Sequence, residues 1–383
     1  MKNVLFDNGV TVIAHIRAIE NNGRLVITFD PMTANDVNAD GYAERFLIKR
    51  GYDVISVQKR RDNWFQDLNL DNFIAAVGRV CRSYDEVFAY GSSMGGYAVL
   101  YFCSLLNIRI LSISPRVSIH PNTPVAIPGF DKRIVTFAHH PLRDVVDHRA
   151  EPLIIYDPHD PTDEHYVEVE AKAAFPNAKI VKVQHGGHPV GHALMEMGLL
   201  KSFVTSFLEG KEPDWQSVRG NRRKSKTYLS NLGVHLASRK KHRVAIKLME
   251  RAISIDPHRS DYFIQKSLSE AAMEQYGEAL QSVQRAISLD QKNDAYYVHW
   301  SSVLDLADSP LNSLKAANLA ISLNDANAMA YVRQSISLFK LAMYDQAIVS
   351  ARNAVNCDPD NKIYIDHLEN MLFAASAKQT ALQ

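Results

Sequence analysis

The chain has 383 residues, of which 46% are hydrophobic and 22% are charged, and its formal net charge is +1. This length exceeds what one ordinary core needs and predicts a globular protein of two domains. The balanced charge argues against a dedicated nucleic-acid-binding protein, which usually carries a strong basic excess. The three cysteines show no ligand spacing, so the sequence favours a reducing compartment without a disulfide framework.

The N-terminal segment lacks the apolar core of a signal peptide, because Asp7, Asn8 and Gly9 interrupt it. No apolar run approaches the roughly 18–20 residues that span a bilayer. We therefore expect a cytoplasmic protein with no membrane span.

Residues 1–210 alternate runs typical of β-strands with stretches of helical period. This alternation predicts a mostly parallel sheet with helices on both faces and functional residues at the carboxyl ends of its strands. The predicted strands are Val10–His15, Leu25–Phe29, Tyr52–Val57, Glu86–Tyr90, Arg109–Ser114, Leu153–Tyr156 and Ile180–Val183. The predicted helices are Ala43–Lys49, Leu70–Cys81, Gly96–Leu106, His165–Ala174 and His192–Leu208.

The most specific motif of this half is GSSMG at Gly91–Gly95, which fits G-x-S-x-G between a strand-type and a helix-type run. A sharp turn there would hold Ser93 in a strained conformation with its side chain thrust outward. Met94 would begin the helix, so that its N–H points at an oxyanion formed on an attacked carbonyl. The alternative interpretation is a glycine-rich turn without chemistry.

These residues resemble the α/β-hydrolase superfamily over roughly residues 1–210. In that family the triad runs serine, acid, histidine along the chain, which implies Ser93, Asp160 and His188 here. The resemblance favours Asp160 because the family acid usually lies in a turn followed by proline, and Asp157 and Asp163 are the alternatives. It implies a serine hydrolase acting without cofactor or metal on a carboxylic ester, with thioester, amide or peptide cleavage and acyl transfer left open.

The loop after Phe29 departs from the family pattern. Many members carry a His-Gly type sequence there, whose backbone N–H completes the oxyanion hole, whereas this chain has Asp30-Pro31-Met32. Proline has no N–H to donate, so we expect the second donor at Met32, with Thr33 as the alternative.

Three further features of this half bear on a substrate site. Arg116 follows a strand end and is a candidate to bind a substrate carboxylate or phosphate, the alternative being a structural ion pair. Trp64 lies in a polar loop and is a candidate to contact substrate, with packing as the alternative. The long connection Pro115–Pro152 is typical of a lid or a substrate-binding insertion. Histidines crowd this half, which makes a zinc-dependent hydrolase an alternative interpretation; they are His139, His140, His148, His159, His165, His185, His188 and His192.

Beyond a polar, basic linker at residues 211–225, the chain repeats every 34 residues. Each unit ends in a turn-type sequence such as IDPHR or CDPDN. Small residues recur at Ala245, Ala279, Ser313 and Ala347, and again at Ala252, Ala286, Ala320 and Ala354.

This pattern resembles tetratricopeptide repeats, with four units and a capping helix within residues 226–383. Gln291 and Asp325 replace the family proline, and Lys266 and Gln334 stand where an apolar residue is usual. The resemblance implies an all-α solenoid whose groove binds a protein or peptide, or a second copy of the chain. The rival interpretation of the whole protein is a non-catalytic scaffold with a degenerate hydrolase domain.

Overall fold

The structure is a computed structural model that describes residues 2–116 and 135–380. It divides into two compact units, Met1–Tyr228 and Leu229–Gln383. The predicted linker, residues 211–225, lies within the first unit and contains a helix, Gln216–Asn221. Residues 117–134 of the predicted lid lie outside the described residues.

The first unit is built on a mostly parallel sheet, which in the described residues has eight strands. Their order is β1-β2-β4-β3-β5-β6-β7-β8, and only the pairs β1–β2 and β2–β4 are antiparallel. The strands are β1 Lys2–Asp7, β2 Thr11–Ile16, β3 Arg24–Phe29, β4 Asp53–Lys59, β5 Glu86–Ser92, β6 Arg109–Ile113, β7 Leu153–Tyr156 and β8 Lys179–Lys182.

Apolar layers cover both faces of this sheet. Neighbouring residues of one strand enter different layers, since Ile27 packs with Phe73 and Phe102 while Val26 packs with Phe207. The central strands are buried on both sides, which is why they appear in the sequence as continuous apolar runs. The helices of this unit are α1 Glu44–Ile48, α2 Leu70–Cys81, α3 Met94–Cys103, α4 Leu142–Val145, α5 Pro161–His165, α6 Lys172–Ala174, α7 Val190–Glu196, α8 Leu200–Leu208 and α9 Gln216–Asn221.

Two predicted helices differ from those observed. The helix predicted at His165–Ala174 starts earlier, at Pro161, and passes through a π-helical segment, Tyr166–Ala171, before α6. The helix predicted at His192–Leu208 is two helices, because Gly198 between them takes a left-handed conformation with φ 77°.

The second unit consists of helix pairs in constant 34-residue phase, as the sequence predicts. The recurring alanines are fully buried, so paired helices approach closely. Each pair turns at a non-glycine residue in the left-handed region, also 34 residues apart: Lys240, Glu274, Asp308 and Ala342. The helices are α10 Lys226–Ser238, α11 His242–Ile255, α12 Ser260–Ala271, α13 Tyr276–Leu289, α14 Asp294–Leu306, α15 Pro310–Leu323, α16 Ala328–Lys340, α17 Tyr344–Cys357 and α18 Lys362–Thr380.

Candidate active site

A strained turn between β5 and α3 carries Ser93, which has φ 56° and ψ −119°. A Cβ on Gly91 would lie 2.2 Å from the carbonyl oxygen of Gly95, and a Cβ on Gly95 would lie 2.4 Å from that of Phe29. Both contacts are far shorter than van der Waals separation, so the turn requires glycine on each side of the serine. The predicted G-x-S-x-G geometry is therefore present.

A chain of hydrogen bonds leads from Ser93 into the protein. Ser93 Oγ lies 2.8 Å from His188 Nε2, and His188 Nδ1 lies 2.8 and 2.9 Å from the two carboxylate oxygens of Asp163. The three residues follow β5, β8 and β7, whose carboxyl ends meet at one edge of the sheet. The Asp163 side chain is fully buried and that of His188 is 17% exposed. In this arrangement the imidazole can take the hydroxyl proton and the carboxylate can hold the resulting imidazolium.

The preferred acid of the sequence analysis, Asp160, occupies a different position. Its carboxylate is the N-cap of α5, accepting hydrogen bonds from the N–H groups of Thr162 and Asp163 at 3.1 and 2.9 Å. Pro161 is the first helical residue, where proline is favoured. The proline that pointed to Asp160 as the acid is thus the signature of a helix cap, and Asp163, one turn later, is the residue against His188.

The other alternative, Asp157, organises the histidine loop. Its buried carboxylate accepts hydrogen bonds from the N–H groups of His185 and Gly187 at 2.9 and 2.8 Å, and from that of His159 at 2.9 Å. These bonds fix the backbone immediately before His188. Asp157 therefore serves to hold the loop in place.

Arg116 and Trp64, predicted as candidates to contact substrate, are both engaged within the protein. The Arg116 guanidinium donates to Asp163 at 2.7 and 2.9 Å and to Asp160 at 2.6 Å. Trp64 is only 1% exposed, and its Nε1–H donates to the carbonyl oxygen of Arg116. The structure thus favours the alternatives stated for both residues, an ion pair and packing.

Candidate oxyanion donors lie on two elements beside Ser93. Met94 begins α3, and the first N–H groups of a helix have no acceptor within it. The N–H of Thr33 donates to the carboxylate of Asp62 at 3.1 Å, so of the two candidates in that loop Met32 is the one left. The fully buried Lys59 donates to the carbonyl oxygens of Pro31 and Ala34 at 2.9 Å and so holds this loop in place.

Asp30 lies at the start of the same loop and is buried beside the end of β3. Its carboxylate accepts a hydrogen bond from the N–H of Tyr42. Burial raises the pKa of Asp30 to about 6, against the lowering effects of that hydrogen bond and of Lys59.

Among the crowded histidines, His139 and His148 also contact protein groups through their ring nitrogens. His139 is buried against Tyr97 and Tyr101 on α3, with Nδ1 2.9 Å from Gln66 Nε2 and 2.8 Å from the hydroxyl of Tyr97, and Nε2 3.0 Å from the carbonyl oxygen of Leu68. Burial lowers the pKa of His139 to about 4. His148 Nδ1 lies 2.8 Å from the carbonyl oxygen of Ala174. This geometry gives both residues structural roles.

No protein-family model and no curated protein matches this chain. Its C-terminal helical region is similar to solved tetratricopeptide-repeat structures. The first such repeat domain of Spaghetti (RPAP3), bound to the HSP90 peptide SRMEEVD, is 19% identical over 32% of this chain and 96% of its own, with a TM-score of 0.30. YrrB is 17% identical over 44% and 86%, with a TM-score of 0.34. MamA from Desulfovibrio magneticus RS-1 is 16% identical over 41% and 89%, with a TM-score of 0.36.

A helix suited to crossing a membrane would have to be both long and apolar. None of the helices in residues 2–116 and 135–380 meets both conditions.

Proposed function

We propose that the first unit is a serine hydrolase of the α/β-hydrolase type, with Ser93, His188 and Asp163 as its triad. The observation that carries the proposal is the hydrogen-bonded chain from Ser93 Oγ through His188 to a buried carboxylate. The positive φ of Ser93 at a strand-to-helix turn and the order serine, acid, histidine along the chain support it further.

The mechanism follows from these contacts. His188 Nε2 takes the Ser93 proton as Oγ attacks an acyl carbon, and then returns the proton to the leaving group. Asp163 keeps the imidazole in the tautomer with Nδ1–H and stabilises its protonated form. The N–H groups of Met94 and Met32 bind the oxyanion, and water then cleaves the acyl-enzyme. A carboxylic ester is the proposed substrate class, with thioesters, amides and acyl transfer as extensions of the same chemistry.

Hydrolysis of p-nitrophenyl esters of increasing chain length tests this proposal. Wild-type protein should release p-nitrophenol, while Ser93→Ala and His188→Ala should lower kcat by about 10³-fold or more. Ser202→Ala is the matched control, because Ser202 is an exposed helical serine whose hydroxyl donates to the carbonyl oxygen of Leu199. Equal rates in wild type and Ser93→Ala would reject Ser93 as the nucleophile.

We further propose that the repeat unit binds a protein or peptide partner, or a second copy of the chain. The specific observation in favour is a cavity of about 450 Å³ on α15, α16 and α17, lined in part by Leu338, Met343 and Val349. Gln334, which departs from the family pattern, lines it too: its Nε2 donates to Asn318 Oδ1, and its Oε1 accepts from the hydroxyl of Ser350. This groove therefore presents apolar side chains to a peptide beside an amide network that is hydrogen-bonded within the protein.

Under the scaffold alternative, the first unit would be a degenerate, non-catalytic binding domain beside the repeat unit. Partner binding and the biological effect would then survive Ser93→Ala unchanged. Loss of the biological effect in Ser93→Ala, with partner binding intact, would favour the enzyme.

A further inference from the structure

We infer that Arg116 is a positioning residue that holds the triad acid and sets the pH range in which His188 acts as a base. The inference rests on the proposed function, because it concerns the same triad. No separate ligand or cofactor is required.

The first argument is the sharing of one carboxylate oxygen. Asp163 Oδ1 accepts from Arg116 Nε at 2.9 Å and from Arg116 Nη2 at 2.7 Å, and it also lies 2.8 Å from His188 Nδ1. The guanidinium and the imidazole therefore compete for the same negative charge. Arg116 Nη2 and His188 Nδ1 are therefore at most about 5.5 Å apart, a separation at which charges interact strongly in a partly buried site.

The second argument is charge compensation around a buried acid. Asp163 is fully buried, and Asp160 lies beside it with its own carboxylate 24% exposed. Two neighbouring carboxylates repel each other, and a buried carboxylate without a partner is costly. Arg116 bridges the two from a side chain that is only 13% exposed. It thereby fixes the orientation in which Asp163 meets the imidazole.

The third argument is the connection of the same residue to the nucleophile turn. The N–H of Arg116 donates to the carbonyl oxygen of Ser93 at 3.3 Å, and its own carbonyl oxygen accepts from Trp64 Nε1 at 3.0 Å. These are backbone bonds of Arg116, which a side-chain substitution leaves in place. A change in its side chain therefore perturbs the acid and spares the turn that holds Ser93.

The electrostatic consequence has a definite sign. The positive charge on Arg116 repels a protonated imidazole across the carboxylate oxygen that the two side chains share, so removing that charge favours the protonated form of His188. Among the residues that the structure describes, other charged or titratable groups connected to this site include Asp160, through Arg116, and Asp157 in the loop before His188, beside which lie His159 and His185. Changing Arg116 to glutamine also removes the charge partner of Asp160, which adds negative charge beside the triad and acts in the same direction.

The test compares wild type, Arg116→Gln and Arg116→Lys by the pH dependence of p-nitrophenyl acetate hydrolysis and by NMR titration of the His188 ring. Arg116→Gln removes the charge, so the acid limb of kcat/KM and the His188 titration should both move to higher pH, by about one unit. Arg116→Lys keeps the positive charge and loses the planar, two-nitrogen contact of the guanidinium with the carboxylates. The acid limb of its kcat/KM profile should therefore stay near that of wild type, while kcat falls at all pH values. Arg60→Gln, which breaks the exposed Arg60–Asp7 fork, is the matched control and should leave both readouts unchanged.

The outcomes separate this inference from the proposed function. The inference would be overturned if Arg116→Gln lost rate equally at all pH values while the acid limb of kcat/KM and the His188 titration stayed where they are in wild type. Arg116 would then serve only as a structural ion pair. If wild type hydrolyses no ester and the His188 titration still moves, the proposed function fails while the coupling of Arg116 to His188 stands. Circular dichroism at each pH excludes unfolding as the cause, and the NMR readout requires no substrate.

Discussion

Exchanging each of two aspartates of α5 for asparagine distinguishes the triad acid from the helix cap. In Asp163→Asn the amide replaces the carboxylate that lies 2.8 and 2.9 Å from His188 Nδ1, so the imidazole loses its charge partner and the tautomer that presents Nε2 to Ser93. We expect kcat to fall by about 10⁴-fold, which corresponds to about 5 kcal/mol of transition-state stabilisation. Asp160→Asn keeps a side-chain oxygen that can cap the helix, and it loses only one contact of Arg116, so kcat should stay within about tenfold of wild type.

The assay is steady-state hydrolysis of a p-nitrophenyl ester, with the unfolding free energy of each variant measured by chemical denaturation. Both variants leave the Arg116 guanidinium with one neutral partner, so both should lose some stability, and the comparison of kcat values is the decisive readout. A larger loss of kcat in Asp160→Asn than in Asp163→Asn would refute the assignment of the acid.

Three further substitutions test the surroundings of the site. Folding lowers the pKa of His139 from 6.5 to about 4, so between these pH values the unfolded chain binds a proton that the folded protein does not. The free energy of unfolding of wild type, relative to that of His139→Gln, should therefore decrease by about 3 kcal/mol as the pH falls through this range. Chemical denaturation of both proteins at both pH values measures this change. Asp30, whose raised pKa favours the folded state at low pH, contributes equally to wild type and variant, so its effect cancels when the two are compared. Gly95→Ala should unfold the turn or lower the free energy of unfolding by at least about 3 kcal/mol, because the added Cβ would lie 2.4 Å from a backbone oxygen of β3. The control Gly220→Ala, whose Cβ would meet nothing within 4 Å, should be neutral or stabilising, and thermal unfolding compares the two. Lys59→Met should lower kcat about tenfold or more with substrate binding little changed, since it releases two carbonyls of the loop that carries Met32; an unchanged kcat would contradict a role for that loop.

The nucleophile turn was accessible from the sequence because its requirements are local. Two glycines, a serine between them and the change from strand-type to helix-type residues all lie within Glu86–Phe102. The phase of the helical repeats was equally accessible, since small residues recur at a fixed period. In both cases the signal and the structural requirement occupy the same short stretch.

The acid was harder to identify because three aspartates, Asp157, Asp160 and Asp163, lie within the seven residues that follow β7. Only the helix start separates their roles: Asp160 caps α5, and the residue three positions later points to His188. The sequence D-P-x-D does carry a cap signal, an acid followed by proline at the first helical position. A cap at Asp160 removes that residue from the candidates for the acid and leaves Asp157 and Asp163, which only the contacts of the folded chain distinguish.

Features that depend on contacts between residues far apart along the chain could not be predicted from the sequence. β1 is mostly exposed and lacks an alternating apolar pattern, so its residues do not predict a strand at the edge of the sheet. The bridge from Arg116 to Asp160 and Asp163 joins residues more than forty positions apart. Pairing across such a distance depends on the order of β6 and β7 in the sheet, which local periodicity does not encode.

The measurement that tests the central claim most directly is intact-protein mass spectrometry after exposure to a fluorophosphonate probe, followed by peptide mapping. The account predicts one adduct on wild type, mapped to Ser93, that disappears in Ser93→Ala and His188→Ala and persists in Ser202→Ala. An adduct on another residue, or no adduct on folded protein across a range of probe sizes, would contradict an activated serine at this turn.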